Sequence, residues 1–323
     1  MIEIPRLNFA HLPTRVESLA RLATTLDGPE VMIKRDDQTG LAFGGNKTRK
    51  LEFLVAEAQA MGARTLITAG AVQSNHCRQT AAAAARFGLD CILVLAGAAP
   101  ERASANFLLS QLLGAEVVWA EWDTRHEALQ KAYEAAKDAG NQPYLVPYGG
   151  SSPTGACGYV FAIQELMEQE IQADWVVFPS SSGGTHAGLV VGARMFGFGG
   201  KILGISIDEN EQDLKVHVAR LASDTAAHLG EDFTFEPDDI LVNADYCEAG
   251  YGVLTEKEVE AIYLFASLEG MLLDPVYTGR AAAGMIDLIR RGVFNRNESV
   301  LFWHTGGTPA LFAEKYMEFI HPK

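Results

Sequence analysis

Short apolar runs alternate with longer stretches of helical periodicity along most of this chain. Leu51, Leu54, Val55 and Ala58 recur at helical spacing and predict a helix entered from the extended, glycine-rich Gly44-Gly45. Upstream, the pattern predicts a first helix near Val16–Leu26 and a strand over Val31–Lys34. Thr65–Thr68 then reads as a strand, His76–Phe87 as an alanine-rich helix and Cys91–Leu95 as a strand. Ala103–Leu113 reads as a helix, Glu116–Trp119 as a strand, Arg125–Ala139 as a helix and Tyr144–Val146 as a strand. A second series follows, with helices over Gly155–Glu170 and Thr185–Phe196 and strands over Trp175–Phe178 and Ile202–Ile207. Next come a helix near Asp213–His228, an irregular stretch around Tyr246–Gly252, and helices over Glu256–Glu269 and Gly279–Arg291. The strand Val300–Trp303 and the helix Ala310–Phe319 close the chain. Strands alternating with longer helices predict parallel sheets, and Gly149-Gly150-Ser151-Ser152-Pro153 is the best hinge between the two series. No internal repeat or low-complexity segment interrupts the pattern.

The 323 residues suffice for two domains or one large α/β unit. A net charge of −15 argues against nucleic acid and anionic membranes as partners, without excluding a cationic pocket for a small anion. Cys77, Cys91, Cys157 and Cys247 lack CxxC spacing, which argues against a zinc site or a disulfide framework and fits a reducing cytosol. Met1–Ala10 has neither signal-peptide nor anchor character, and no run reaches the ~18 apolar residues of a membrane helix. A soluble cytoplasmic protein is expected.

Candidate chemistry falls where strands give way to helices. In Gly44-Gly45-Asn46-Lys47-Thr48-Arg49-Lys50, Asn46 is a suitable N-cap and Lys47 lies one turn before Leu51 on the inward face. The helix N-terminus and burial both disfavour a charged ammonium there, so Lys47 suits Schiff-base chemistry. A solvated basic cluster is the plain alternative. Gln73-Ser74-Asn75-His76 opens the next helix and reads either as a carboxylate clamp or as simple capping. Ser182, Gly183, Gly184 and Thr185, after an apolar strand, read as a phosphate cup in which backbone N–H groups approach an anion, with a structural turn as the plain alternative. A dinucleotide site with Asp208 ranks lower because G-x-G-x-x-G spacing is missing, and neither Walker A nor HExxH occurs. Tyr277, Tyr246 and Tyr251 offer phenols as proton donors or as packing groups. Thr305 offers a hydroxyl to a ring nitrogen or to the following helix.

Together the lysine segment, Gln73-Ser74-Asn75-His76, Ser182-Gly183-Gly184-Thr185-His186-Ala187-Gly188, Asp274-Pro275-Val276-Tyr277-Thr278-Gly279 and His304-Thr305-Gly306-Gly307 resemble one pyridoxal-phosphate family. It is the family of 1-aminocyclopropane-1-carboxylate deaminase and D-cysteine desulfhydrase, on the tryptophan synthase β-subunit fold. The resemblance runs in order over essentially the whole chain. It implies two open, mostly parallel twisted sheets with helices on both faces (fold type II). A large cofactor-binding domain would span 1–51 and 156–323, a small α/β domain 52–155, and the protein would be a homodimer. It also implies pyridoxal 5'-phosphate as cofactor and a small amino acid as substrate. Lys47 would be the Schiff-base lysine and proton-transfer base, Asn75 would bond the ring hydroxyl, and Ser182, Gly183, Gly184 and Thr185 would hold the phosphate. Gln73, Ser74, Asn75 and His76 would take the substrate, with Tyr251 and Tyr277 near the reacting carbon. Deaminases of this family carry Glu and Leu where this chain has Thr278 and Thr305, so the resemblance points to the desulfhydrase branch. A hydroxyl beside the ring nitrogen makes a weaker electron sink, sufficient when thiolate leaves. L-Cysteate sulfo-lyase and the deaminase are the alternatives on the same scaffold. A non-catalytic binder of an amino acid or nucleotide and an NAD-dependent dehydrogenase are those of a different class.

Overall fold

In the computed structural model, which describes residue 2 and residues 4–320, consecutive residues of the inner strands alternate between two cores. Of the amino-terminal stretch read above, Met1 and Glu3 lie outside the described residues. The chain begins β1 (Val16–Ser18), α1 (Ala20–Leu26), β2 (Glu30–Lys34) and α2 (Asn46–Ala60). The first α/β series is β3 (Thr65–Ala71), α3 (Asn75–Phe87), β4 (Asp90–Ala96), α4 (Ala105–Leu112), β5 (Glu116–Ala120), α5 (Arg125–Asp138) and β6 (Pro143–Leu145). The second contains α6 (Pro153–Glu168), β7 (Trp175–Ser180), α7 (Gly184–Phe196), β8 (Lys201–Ser206), α8 (Glu211–His228) and β9 (Leu241–Asn243). The chain closes with α9 (Glu256–Glu269), α10 (Thr278–Arg290), β10 (Ser299–Trp303) and α11 (Glu314–Met317).

One sheet has the order β1-β2-β10-β7-β8-β9 and is parallel except for the antiparallel pair β1–β2; the other, β5-β4-β3-β6, is wholly parallel. Val176, Phe178, Leu301 and Trp303 pack with α6, α7 and α8 on one face of the larger sheet. Val177, Val300 and Phe302 pack with α1, α9 and α10 on the other. That two-residue period on strands buried on both faces explains their continuous apolar sequences. A third core joins Leu51, Leu54, Val55 and Ala58 of α2 to α3 and the smaller sheet. Strand order reverses between β3 and β6 and between β7 and β10, so loops at those carboxyl ends diverge and leave a crevice.

Four expectations need correction. Val16–Ser18 is a strand, registered against Lys34–Met32, and the helix is confined to Ala20–Leu26. Pairing to an exposed sheet edge overrides a helical periodicity carried by few residues. Leu241–Asn243 is a strand too short to show a period, beside β8. The last predicted helix divides into a 3-10 turn at Thr308–Phe312, with Pro309 inside it, and the short α11. Asn46 is the first helical residue and caps nothing; Gly45, at φ 121°, precedes the helix.

A buried ionic cluster joins the elements that carry this end of α2. Arg49 makes a two-pronged contact with Asp36 (both 2.8 Å) and a third bond to Glu165, which also receives Lys34. Asp36 accepts in addition from Thr14, Tyr159 and Trp303. Burial pushes the Asp36 carboxyl up, but Arg49, Lys34 and the Tyr159 hydroxyl outweigh it and hold it at about 2. The Asp36 carbonyl receives the Gly45 N–H at 2.9 Å, so the cluster fixes the turn into α2.

Asp36→Ala would leave Arg49 buried with one carboxylate fewer, and is expected to lower the unfolding free energy by about 3–5 kcal/mol, read by urea denaturation. Because the folded value lies below the ordinary 3.8, the stabilisation is complete above 3.8 and disappears as pH falls towards about 2.

Candidate active site

The amino ends of α2, α3 and α7 converge on one cleft of about 640 Å³, counting its open mouth. Its lining includes Lys47, Lys50, Ser74, Asn75, His76, Ser182, Gly183, Thr185, Tyr277 and Thr305 and, among the described residues, no aspartate or glutamate. Lys47 and Lys50 lie three residues apart on α2 and therefore share a face. Arg49, on another face, points into the ionic cluster. The three basic residues are thus no solvated surface cluster: Arg49 and Lys50 are buried and Lys47 is half-buried.

Desolvation lowers the Lys47 amine to about 8. Lys50 is pushed well below its ordinary value by burial and then by the neighbouring Lys47; it donates to the Gly149 carbonyl at 3.1 Å. Among the described residues no carboxylate pairs with either amine. Two poorly compensated amines and three helix amino termini make this an anion-seeking cleft within an acidic chain.

Asn46 ties two neighbouring motifs to Lys47. Its backbone N–H donates to the Thr305 carbonyl at 3.0 Å and its side-chain amide to Thr185 Oγ1 at 3.0 Å. Gly183 adopts φ 77°, a left-handed conformation suited to glycine, and turns the chain from β7 into α7. The Gly184 N–H donates to Ser151 Oγ at 3.0 Å, and Ser151 donates to Ser182 Oγ at 2.9 Å. A Cβ at Gly184 would stand 2.6 Å from Ser151 Oγ and 2.9 Å from Lys50 Nζ, so the missing side chain leaves a cradle with a hydroxyl and an amine at its rim. That donor set fits a phosphate ester.

Ser74 is the N-cap of α3 and accepts from the Cys77 N–H at 3.2 Å, so it caps the helix while also facing the cleft. Gln73 turns away, accepting from the Asn106 N–H and donating to the Ser104 carbonyl. Asn75 accepts from Asn106 Nδ2 at 2.8 Å. The Asp274 carboxylate receives the N–H groups of Val276, Tyr277 and Thr278, and so shapes the turn that aims Tyr277. Thr278 spends its hydroxyl on Asp274 and does not line the cleft, whereas Thr305 does. Tyr251 lines an adjoining outer chamber with Trp122, Arg125, Asp208 and Glu209, and reaches the cleft through its hydroxyl, 2.7 Å from that of Tyr277. Burial keeps both phenols well above their ordinary range, hence protonated. Tyr246 instead donates to Asp287. Lys50, Tyr148 and Ser151 were not singled out by motif. The signal for Lys50 was its i+3 spacing from Lys47, and Ser151 lay inside the segment read as a hinge.

The model of the pyridoxal-phosphate dependent enzyme family matches residues 7–306, and the chain belongs to that family. It is 45% identical over 322 residues to a D-cysteine desulfhydrase of Salmonella typhimurium, covering 97% of each chain. A second, from Salmonella choleraesuis, is 44% identical over the same length and coverage. Among solved structures, an ACC deaminase homologue superposes with a TM-score of 0.89 at 36% identity, over 98% of this chain and 96% of that one. The processed form of threonine deaminase isoform 2 from Solanum lycopersicum shares the fold alone, with a TM-score of 0.65 at 19% identity over 95% of this chain and 82% of that one.

Because the amine at residue 47 titrates at about 8, its labelling by a small acylating reagent in cofactor-free protein should rise through that pH instead of near 10.5, as mapped by mass spectrometry. Gly184→Ala fills the cradle and is expected to weaken pyridoxal phosphate binding about tenfold, the size of one charge-assisted hydrogen bond, measured by absorbance titration.

Proposed function

We propose that the protein is a D-cysteine desulfhydrase, converting D-cysteine and water to pyruvate, hydrogen sulfide and ammonia. The observation that carries the chemistry is a Lys47 amine without a carboxylate partner among the described residues, lowered by desolvation to about 8 and opening on the same cleft as the 182–185 cup. The substrate rests on the near full-length similarity to two desulfhydrases.

Pyridoxal phosphate, when bound, supplies an aldehyde and a conjugated ring that takes up electrons from the substrate α-carbon. Asn75 and Thr305 would hold the ring, and Ser182, Gly183, Gly184 and Thr185, with Lys50 and Ser151, would hold the phosphate. Lys47 anchors the aldehyde end and then accepts the α-proton as a neutral amine. Ser74 and the first N–H groups of α3 receive the substrate carboxylate. The Tyr251–Tyr277 pair holds a proton beside the departing sulfur. Of the two threonines that mark the branch, Thr305 takes the ring-nitrogen role because Thr278 is committed to Asp274. With no carboxylate in the cleft among the described residues, the electron sink would stay modest, which suits thiolate departure and not the opening of a cyclopropane. The large (1–51, 156–323) and small (52–155) domains, a homodimer and a cytoplasmic location belong to the same proposal. No described helix is long and apolar enough to cross a membrane.

Lys47→Ala is expected to abolish pyruvate release while leaving the circular-dichroism spectrum unchanged. Across D-cysteine, L-cysteine, L-cysteate and 1-aminocyclopropane-1-carboxylate, D-cysteine should give the highest kcat/KM; faster pyruvate from L-cysteate would transfer the protein to the sulfo-lyases.

A further inference from the structure

His76 has one ring nitrogen committed and one unengaged. Its Nε2 lies 2.9 Å from Thr68 Oγ1, and that hydroxyl donates its only hydrogen to the Val146 carbonyl at 2.8 Å. Thr68 can therefore only accept from the ring, which places the imidazole proton on Nε2. Nδ1 is then a bare lone pair. It has no hydrogen-bond partner, although His76 is 4% exposed and lines the cleft with Lys47, Tyr148 and Tyr277. The Pro147 carbonyl borders the ring but is outside hydrogen-bonding geometry with Nδ1. Burial and then the Lys47 and Lys50 amines keep the ring neutral, well below the ordinary histidine range. A buried acceptor without a donor is unfavourable, and a ligand that brings a donor relieves it.

We propose that His76 Nδ1 selects the neutral thiol of the substrate, accepting the S–H hydrogen, and so discriminates against thiolate and sulfonate side chains. This rests on the elimination reading above. When the Cβ–S bond breaks, the electron pair leaves with sulfur. A thiol departs as hydrosulfide, whereas a thiolate would have to leave as the sulfide dianion. A sulfonate carries acceptors only and meets the lone pair unfavourably.

The test combines side-chain 15N NMR of histidine-labelled, cofactor-loaded protein with kinetics on two substrates. D-Cysteine carries a proton on its leaving atom; β-chloro-D-alanine does not. The His76 signals, assigned by their loss in His76→Phe, should show an unprotonated Nδ1 and a protonated Nε2. His76→Phe should lower kcat/KM for D-cysteine about tenfold, the size of one hydrogen bond, and change that for β-chloro-D-alanine less than about threefold. Thr68→Val, which keeps the histidine, should release the tautomer and lower the D-cysteine value selectively. A proton on Nδ1, or equal losses on both substrates, overturns the proposal. A wild-type protein inert on both substrates removes the elimination reading and takes this one with it, whatever the ring signals show.

Discussion

Two lysine amines held out of bulk water without a carboxylate set the terms for this molecule. The chain has 41 acidic residues, yet none of those among the described residues lines the cleft that Lys47 and Lys50 enter. Desolvation favours the neutral amines, and the converging amino ends of α2, α3 and α7 add positive potential. Such an arrangement persists only if the surrounding backbone cannot relax. The Asp36–Arg49–Glu165–Lys34 cluster provides that rigidity immediately behind the lysines. It draws β2, α2, α6 and β10 together and fixes the Gly45 turn. An anionic phosphate on the open side would resolve the imbalance.

Much of this was legible in the order of residues. Strands buried on both faces announced themselves as apolar runs, and the motifs at their carboxyl ends converge in space as the strand order requires. What escaped reading depended on partners distant in sequence. Val16–Ser18 is a strand only because β2 lies beside it, and Gln73 faces Asn106 instead of the cleft. Thr278 resembled a cleft residue by its place in a motif, but its hydroxyl is taken by Asp274 four residues earlier. Ser151 shows the converse: a residue in an apparent linker supplies the hydroxyl beneath the first N–H of α7. Arg49 and Lys50, adjacent in sequence, point to opposite tasks, a distinction that helical geometry makes and composition does not.

The same architecture occurs in a threonine deaminase at 19% identity, and a shared fold does not by itself say what chemistry is done on it. The chemistry is set by a few side chains around the cleft. Here the cleft offers hydroxyls, amides, two lysine amines and an imidazole kept neutral by burial. Such surroundings handle a substrate whose bond is already weak, leaving the cofactor to provide most of the activation.

The division of labour around α2 has a consequence for chain length. Successive side chains on a helix are turned by about 100°. Gaining one residue between Gly45 and Arg49 would carry the guanidinium to the position of Lys50 on the cleft, and losing one would carry the Lys50 amine onto the carboxylates that Arg49 meets. Many surface loops absorb such insertions freely, but here a single-residue slip in either direction would take the anchor from its carboxylates. Divergent descendants of this enzyme should therefore vary widely in their outer connections while keeping the count of these few positions constant.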